Sequence, residues 1–221
     1  MVFMNGDPAQ GKFIALEGGE GTGKSTQGRM LEQALRQNYG LDVIMTREPG
    51  GTPGAEAIRA LLLDPPGEGW EPEAEALLFA AARADHVARL IRPQLEAGAW
   101  VISDRFVDSS RAYQGGAGGL GDHAIAALHD FGSHGIRPDC TILLEVDDAV
   151  REKRLAARDG DTSDAIGGRS ASYHNAVAAS FRKLAQGDPE GFRIVDGTGT
   201  AEKVHENVMA ALAHILEGRT A

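Results

Sequence analysis

The stretch that decides the fold lies near the start of the chain, where residues 13–26 read FIALEGGEGTGKST. The apolar residues 13–16 predict a short buried strand, and Lys24 to about Tyr39 shows the apolar spacing of a helix. Between them, residues 18–25 match the phosphate-loop pattern G-x-x-x-x-G-K-[ST] in its strand–loop–helix context. Glycines let backbone N–H groups surround a triphosphate, Lys24 reaches its β and γ oxygens, and Ser25 can bind Mg²⁺. The segment predicts a nucleoside triphosphate site.

Outward from this loop, short apolar runs alternate with helical patterns along the rest of the chain. Strands are predicted at 43–46, 100–103, 141–146 and 192–195. Helices are predicted at about 55–63, 73–97, 122–134, 148–158, 171–186 and 201–217, with Pro93 kinking or dividing the second of them. The glycines at about 115–121 predict a loop before the third helix. Continuously apolar strands separated by helices are typical of a parallel sheet covered on both faces. The pattern predicts a three-layer α/β fold with a five-stranded parallel sheet, in one domain over residues 12–217, after a disordered tail at 1–11.

Composition excludes several classes of protein. The 221 residues carry a net charge of -10, which disfavours nucleic acid as a partner. No apolar run reaches the ~18 residues of a membrane span, and the first residues do not resemble a secretory signal. A single cysteine, Cys140, excludes a disulfide framework, and the seven histidines lack metal-site spacing. We therefore expect a cytoplasmic protein with no membrane partner.

Other residues indicate what the triphosphate is used for. Arg47 follows the second strand, and Asp104 with Arg105 follows the third, at the sheet edge where open α/β folds bind ligands. They suit a phosphate and a Mg²⁺ ion, although a solvated arginine and a surface ion pair are the alternatives. Phe79 and Arg83 share one helical face, where a ring can stack on a base and a guanidinium can read its edge. The sequence alone favours a core position for Phe79.

Three motifs together resemble the bacterial thymidylate kinases (dTMP kinases). They are TREPGGT at 46–52, LLFAAAR at 77–83 and DRF at 104–106, and their order and spacing match that family over roughly residues 12–216. The resemblance implies a P-loop nucleoside monophosphate kinase fold, a homodimer and transfer of the γ-phosphoryl group of ATP to dTMP with Mg²⁺.

Motifs and resemblance together predict the site residues. The residues predicted to bind ATP are Gly18, Gly19, Glu20, Gly21, Thr22, Gly23, Lys24, Ser25, Thr26 and Arg154. Those predicted to bind dTMP are Glu20, Glu48, Pro49, Phe79, Arg83, Arg105, Ser110, Tyr113 and Gln114. Ser25 and Asp104 are predicted to bind the metal, directly or through water. The predicted catalytic residues are Lys24, Arg47, Arg105, Arg158 and Arg169.

The segment at about 158–170 corresponds to the family's lid over ATP. Relatives with a neutral phosphate-loop residue carry an Asp-Arg pair there, whereas this chain has alanine at position 165. We expect Arg158 or Arg169 to supply the missing charge, and a weakened enzyme is the alternative.

Two other functions remain open at the level of sequence. One is a kinase for a different nucleoside monophosphate, and the other is a regulatory P-loop ATPase or GTPase switch. The chain has no N-K-x-D motif for guanine and no evident water-activating glutamine, which disfavours the switch.

Overall fold

The computed structural model describes residues 11–159 and 165–217, and its five strands form a single parallel sheet. The strands are β1 (Phe13–Glu17), β2 (Val43–Arg47), β3 (Trp100–Asp104), β4 (Cys140–Glu145) and β5 (Phe192–Asp196). Their order across the sheet is β2-β3-β1-β4-β5, so β1 lies at the centre. Ile14 of β1 is in register with Ile102 of β3 and Cys140 of β4. The five-stranded parallel sheet predicted from the sequence is confirmed.

Ten α-helices lie within the described residues. They are α1 (Lys24–Tyr39), α2 (Pro53–Leu63), α3 (Pro72–His86), α4 (Arg92–Glu96), α5 (Val107–Ser110), α6 (Asp122–Ser133), α7 (Asp148–Asp159), α8 (Ala171–Gly187), α9 (Ala201–Ala211) and α10 (Ala213–Leu216). Thr52 caps α2 by accepting the N–H of Ala55, and Pro53 follows it in the first turn. Ser170 and Thr200 cap α8 and α9 in the same way.

Helices cover both faces of the sheet because neighbouring residues of β1 point to opposite sides. Ile14 packs in a core with Leu31 of α1 and Val208 of α9. Phe13 packs on the other face, with Val87 and Phe106 among its neighbours. Each core residue named is at most 1% exposed. The three-layer architecture follows from this two-sided burial.

Two segments differ from the sequence prediction. The helical run at 73–97 has a π turn at Val87–Ile91, after which Pro93 stands in the first turn of α4, where a helix needs no backbone donor. The glycine-rich stretch expected as a loop at 115–121 begins within a π-helical turn, Arg111–Ala117, that continues α5. A Cβ at Gly116 would lie 2.1 Å from Ser180 Oγ, so this glycine permits close packing against α8. It does not mark a loop.

The parallel strands all end at one edge of the sheet, and this edge gathers the predicted functional residues. The phosphate loop leaves β1 there, Arg47 ends β2 and Asp104 ends β3. Residues 1–10 of the predicted tail lie outside the described part of the chain, whereas Gly11 donates its N–H to Leu95 O at 3.2 Å. Within residues 11–159 and 165–217, no helix has the length and apolarity needed to cross a membrane.

Candidate active site

The phosphate loop adopts a tight turn that depends on glycine. Gly18, Gly21 and Gly23 have positive φ angles, and a Cβ at Gly18 would lie 2.4 Å from Leu144 O. The Lys24 ammonium folds back over the loop and donates to Gly18 O at 3.1 Å and Gly19 O at 2.6 Å. Burial, reinforced by the charge of Arg105, lowers the pKa of Lys24 to about 8. A bound triphosphate would favour the charged form of this ammonium.

Ser25 and Asp104 come from different elements and meet at the mouth of the loop. The Ser25 hydroxyl donates to Asp104 Oδ2 at 2.6 Å. No cluster of three or more His, Cys, Asp or Glu side chains suited to a metal occurs in the described part of the chain. A hydroxyl beside a single carboxylate fits Mg²⁺, which keeps several waters and takes its other ligands from phosphates.

Arg105 lies between the phosphate loop and the acceptor side of the site. Its guanidinium donates to Gly18 O at 3.0 Å, to Ser109 Oγ at 3.1 Å and to Tyr113 Oη at 3.3 Å, and it stands 5.2 Å from the centre of the Tyr113 ring. Its φ of 73° is in the left-handed region, which non-glycine residues rarely adopt outside functional sites.

A buried carboxyl group that sequence reasoning missed holds this backbone in place. Glu17, at the end of β1, accepts the N–H groups of Phe106 and Ser109 at 2.8 and 3.0 Å, and the Ser109 hydroxyl at 2.6 Å. Burial and, after it, the charge of Asp108 raise the pKa of Glu17 to about 7. Its position directly before the phosphate loop was the only sequence signal.

Beside Arg105, a cleft opens between α2, α3 and the turn after α5. All nine residues predicted to bind dTMP line this cleft, namely Glu20, Glu48, Pro49, Phe79, Arg83, Arg105, Ser110, Tyr113 and Gln114. Phe79 is half-buried and lines this cleft, outside the hydrophobic core clusters. We call it the base cleft.

Arg83 is fixed at the back of the base cleft by a buried carboxylate. Its Nε donates to Glu48 Oε2 at 2.7 Å and its Nη2 donates to Ser110 Oγ at 2.8 Å. Burial alone would raise the pKa of Glu48, but Arg83 and His86 hold it below its usual range. His86, which the sequence analysis left without a role, lies 3.1 Å from Glu48 Oε1 and 2.8 Å from Thr46 Oγ1. Its spacing of three residues from Arg83 places both on one helical face.

A second cleft continues from the base cleft over the phosphate loop, and we call it the phosphate cleft. Its lining is rich in cations, which are Lys24, Arg29, Arg47, Arg59, Arg105 and Arg154. It shares Glu20, Glu48, Arg59 and Arg105 with the base cleft. A third cleft, beside Thr26 and Arg154, follows at the far end. The phosphate cleft therefore borders both of the others.

Two arginines of the phosphate cleft are held by neighbouring groups. Arg47 is half-exposed and donates to both carboxylate oxygens of Glu56 at 3.0 and 3.1 Å. Arg59, which the sequence analysis missed, donates to Pro49 O at 2.8 Å. Arg59 and Leu63 are four residues apart on α2, so they share one helical face, and both line the base cleft. This spacing was the only sign of Arg59 in the sequence.

The described residues of the segment predicted to be a lid border the base cleft. Ala165 donates its N–H to Leu63 O at 3.4 Å, and Ile166 lines the cleft. Arg169 forms an ion pair with Glu75 and donates to Tyr173 Oη at 2.6 Å. Its action on the transferred phosphoryl group stays a prediction, and it requires this ion pair to open.

The two other predicted arginines of this region lie on α7. Arg154 donates to Thr22 O at 3.4 Å and to Gly197 O at 3.0 Å. Its side chain therefore links the phosphate loop to the loop that follows β5. The side chain of Arg158 and residues 160–164 lie outside the described part of the chain.

Known proteins resemble this chain over most of its length. The family model described as thymidylate kinase matches residues 16–208. The chain is 53% identical to the thymidylate kinase of Rhizorhabdus wittichii over 93% of this chain and 99% of the relative, and 47% identical to that of Halorhodospira halophila over 94% and 96%. The crystal structure of thymidylate kinase from Ehrlichia chaffeensis superposes with a TM-score of 0.74 at 31% identity, covering 92% of this chain and 99% of that one. The chain belongs to the thymidylate kinase family.

Proposed function

We propose that the three clefts hold dTMP and ATP end to end, so that the γ-phosphoryl group of ATP passes directly to the 5′-phosphate of dTMP. The observation that carries this proposal is the shared boundary between the base cleft and the phosphate cleft at Glu20, Arg59 and Arg105. A monophosphate whose base lies beside Phe79 brings its phosphate to this boundary. The triphosphate on the phosphate loop approaches from the other side.

The base cleft offers groups suited to a pyrimidine deoxynucleotide. Phe79 supplies a stacking surface, and Arg83 presents the guanidinium donors that Glu48, Ser110 and Phe106 O leave unused. Because Glu48 and Ser110 hold this guanidinium rigidly, little side-chain freedom is lost when a base binds. Glu20, Pro49 and Tyr113 line the space left for the sugar and phosphate.

The transfer step needs charge neutralisation more than proton removal. An oxygen of the acceptor phosphate forms a bond to the γ-phosphorus while the bond to the β–γ bridging oxygen breaks, and ADP leaves with that electron pair. The acceptor oxygen is already anionic, so no general base is required. Lys24, Arg47 and Arg105 lower the repulsion between the two anions.

Ser25 and Asp104 would hold Mg²⁺, directly or through water, because their side chains meet at the mouth of the phosphate loop. When bound, Mg²⁺ neutralises charge on the β- and γ-phosphate oxygens. Asp104 is paired with Arg47 of β2 in the sheet. The carboxylate and this arginine therefore reach the phosphates of the bound nucleotides from the same edge.

A coupled assay of ADP release tests the proposal. The full chain is incubated with ATP and, in separate reactions, with dTMP, dUMP, dCMP, dGMP or AMP. We expect turnover that depends on dTMP and that Lys24→Ala abolishes, because a charge at the γ-phosphoryl group is removed. Lys203→Ala, on the exposed surface of α9, is the matched control and should keep full activity. ADP release that needs no acceptor would overturn the proposal in favour of an ATPase.

We also propose that the chain forms a homodimer through the outer face of α3 and α6. Phe131 of α6 is 89% exposed and Leu77 of α3 is 57% exposed. The two helices pack side by side, since a Cβ at Gly132 would lie 3.2 Å from Ala84 Cβ. Large exposed apolar residues on two helices that pack together are typical of interaction surfaces. Light scattering should show a dimer that Phe131→Glu converts to a monomer, whereas Ile194→Glu on β5 should leave it intact.

A further inference from the structure

A buried carboxylate joins the lid to the base cleft. Glu75 is on α3, one turn before Phe79, and its side chain is 10% exposed. One of its oxygens accepts the Arg169 guanidinium of the lid segment. The other oxygen accepts a hydrogen bond from Gln114 Nε2 at 2.8 Å. Gln114 is 3% exposed and lines the base cleft, so the carboxylate reaches the cleft through this amide.

The ion pair dictates which end of the Gln114 amide faces the cleft. The Glu75 carboxylate, paired with the Arg169 guanidinium, offers only hydrogen-bond acceptors. Gln114 must therefore turn its NH₂ group toward Glu75, and its Oε1 is left as the end available to a ligand. No donor to this oxygen is found among residues 11–159 and 165–217. The cleft thus presents a fixed hydrogen-bond acceptor.

Such an acceptor distinguishes pyrimidines by the chemistry of ring position 3. Thymine and uracil carry an N–H there and can donate to Gln114 Oε1. Cytosine carries a lone pair at the same position, so two acceptors would face each other without a proton. A site built around a particular hydrogen bond rejects an analogue that cannot make it, because its buried polar group is left unpaired.

We propose that Glu75 is a positioning residue that orients the Gln114 amide and thereby makes the site select pyrimidines with an N–H at position 3. This inference rests on the proposed function, in which the base of the monophosphate lies in the base cleft. Arg169 supports Glu75 in turn. Its guanidinium donates to Tyr173 Oη, stands 4.7 Å from the centre of that ring, and is held there because Tyr173 Oη donates to Tyr113 O at 3.0 Å.

Calorimetric titration of the full chain with dTMP and with dCMP, without ATP, tests the inference. In Glu75→Gln the neutral amide can donate as well as accept, so Gln114 is free to turn. We expect dTMP to bind more weakly and dCMP more tightly, with the preference for dTMP falling about tenfold or more. Glu73→Gln makes the same chemical change on an exposed position of α3 and should leave the preference unchanged.

The gain in dCMP affinity is the readout that a structural defect would not produce. An unchanged preference in Glu75→Gln, or an equal loss of affinity for both nucleotides, overturns the inference. If that variant does not fold, wild-type binding of dUMP is compared with 3-deaza-dUMP, in which a C–H replaces the N–H. Equal affinities overturn the inference, and a clear preference for dUMP supports it. Wild-type protein that binds neither dTMP nor dUMP would refute the proposed function itself, and the inference with it.

Discussion

Replacing Glu17 by glutamine should change how the stability of the protein depends on pH. The pKa of Glu17 rises from 4.5 to about 7 on folding, mainly because of burial. The folded state therefore binds a proton more tightly than the unfolded state. The protonated Glu17 side chain contributes fully to the free energy of unfolding below pH 4.5. This contribution is lost as the pH rises, and at about pH 7 the free energy of unfolding is lower by about 3 kcal/mol. Glutamine does not ionise, so its contribution does not change with pH. Its side-chain oxygen can still accept the N–H groups of Phe106 and Ser109.

Urea unfolding of wild-type protein and Glu17→Gln measures the effect. Between about pH 5 and about pH 8, the variant should gain about 2.5 kcal/mol of stability relative to wild type. Comparing the two proteins cancels the titration of other groups that both share. Parallel pH profiles would refute the reasoning, since they would mean that Glu17 has the same proton affinity in the folded and unfolded chains. A falling relative stability of the variant toward high pH would reverse the sign and refute it as well.

Three further predictions concern the site. The affinity of the free enzyme for ATP should fall as the pH rises through about 8, since Lys24 then loses its charge, and nucleotide titrations at several pH values would detect this. Phe79→Ala should weaken dTMP binding by about 1–3 kcal/mol and leave ATP affinity and the melting temperature nearly unchanged, whereas a large loss of stability would indicate a core role. If Arg169 leaves Glu75 to act on the phosphoryl group, Arg169→Ala should lower kcat about tenfold or more, and loss of its ion pair with Glu75 should also raise the dTMP KM. Ala165→Arg should change kcat only modestly, and a rise in KM without a fall in kcat would exclude that catalytic role of Arg169.

Local signals in the sequence were sufficient for the phosphate loop and for the strands and helices around it. The strand before the loop, the glycines and the helix from Lys24 follow from apolar spacing and backbone freedom within one short segment. Gly115 and Gly116 misled the same reasoning, because glycine serves loops and close helix packing equally well. Only the contact between Gly116 and Ser180 of α8 distinguishes the two uses.

The base cleft shows where local reasoning ends. Phe79 and Arg83 share a helical face by their spacing, but the sequence favoured a core position for the phenylalanine. Its place in the cleft is decided by α2 and the turn after α5, which come from distant parts of the chain. The partners of Arg83 are likewise distant, with Glu48 on the β2 side and Ser110 at the end of α5.

What the sequence by itself determined is the class of fold, the triphosphate site and the family, because each rests on residues adjacent in the chain or on motifs in a set order. The strand order that places β1 between β3 and β4 was decided only by the tertiary structure, as were the buried contacts of Glu17, Glu75 and His86. The physical reason is that a buried carboxylate or imidazole acquires its role from the donors that folding brings to it. Those donors lie tens of residues away, where no spacing rule connects them.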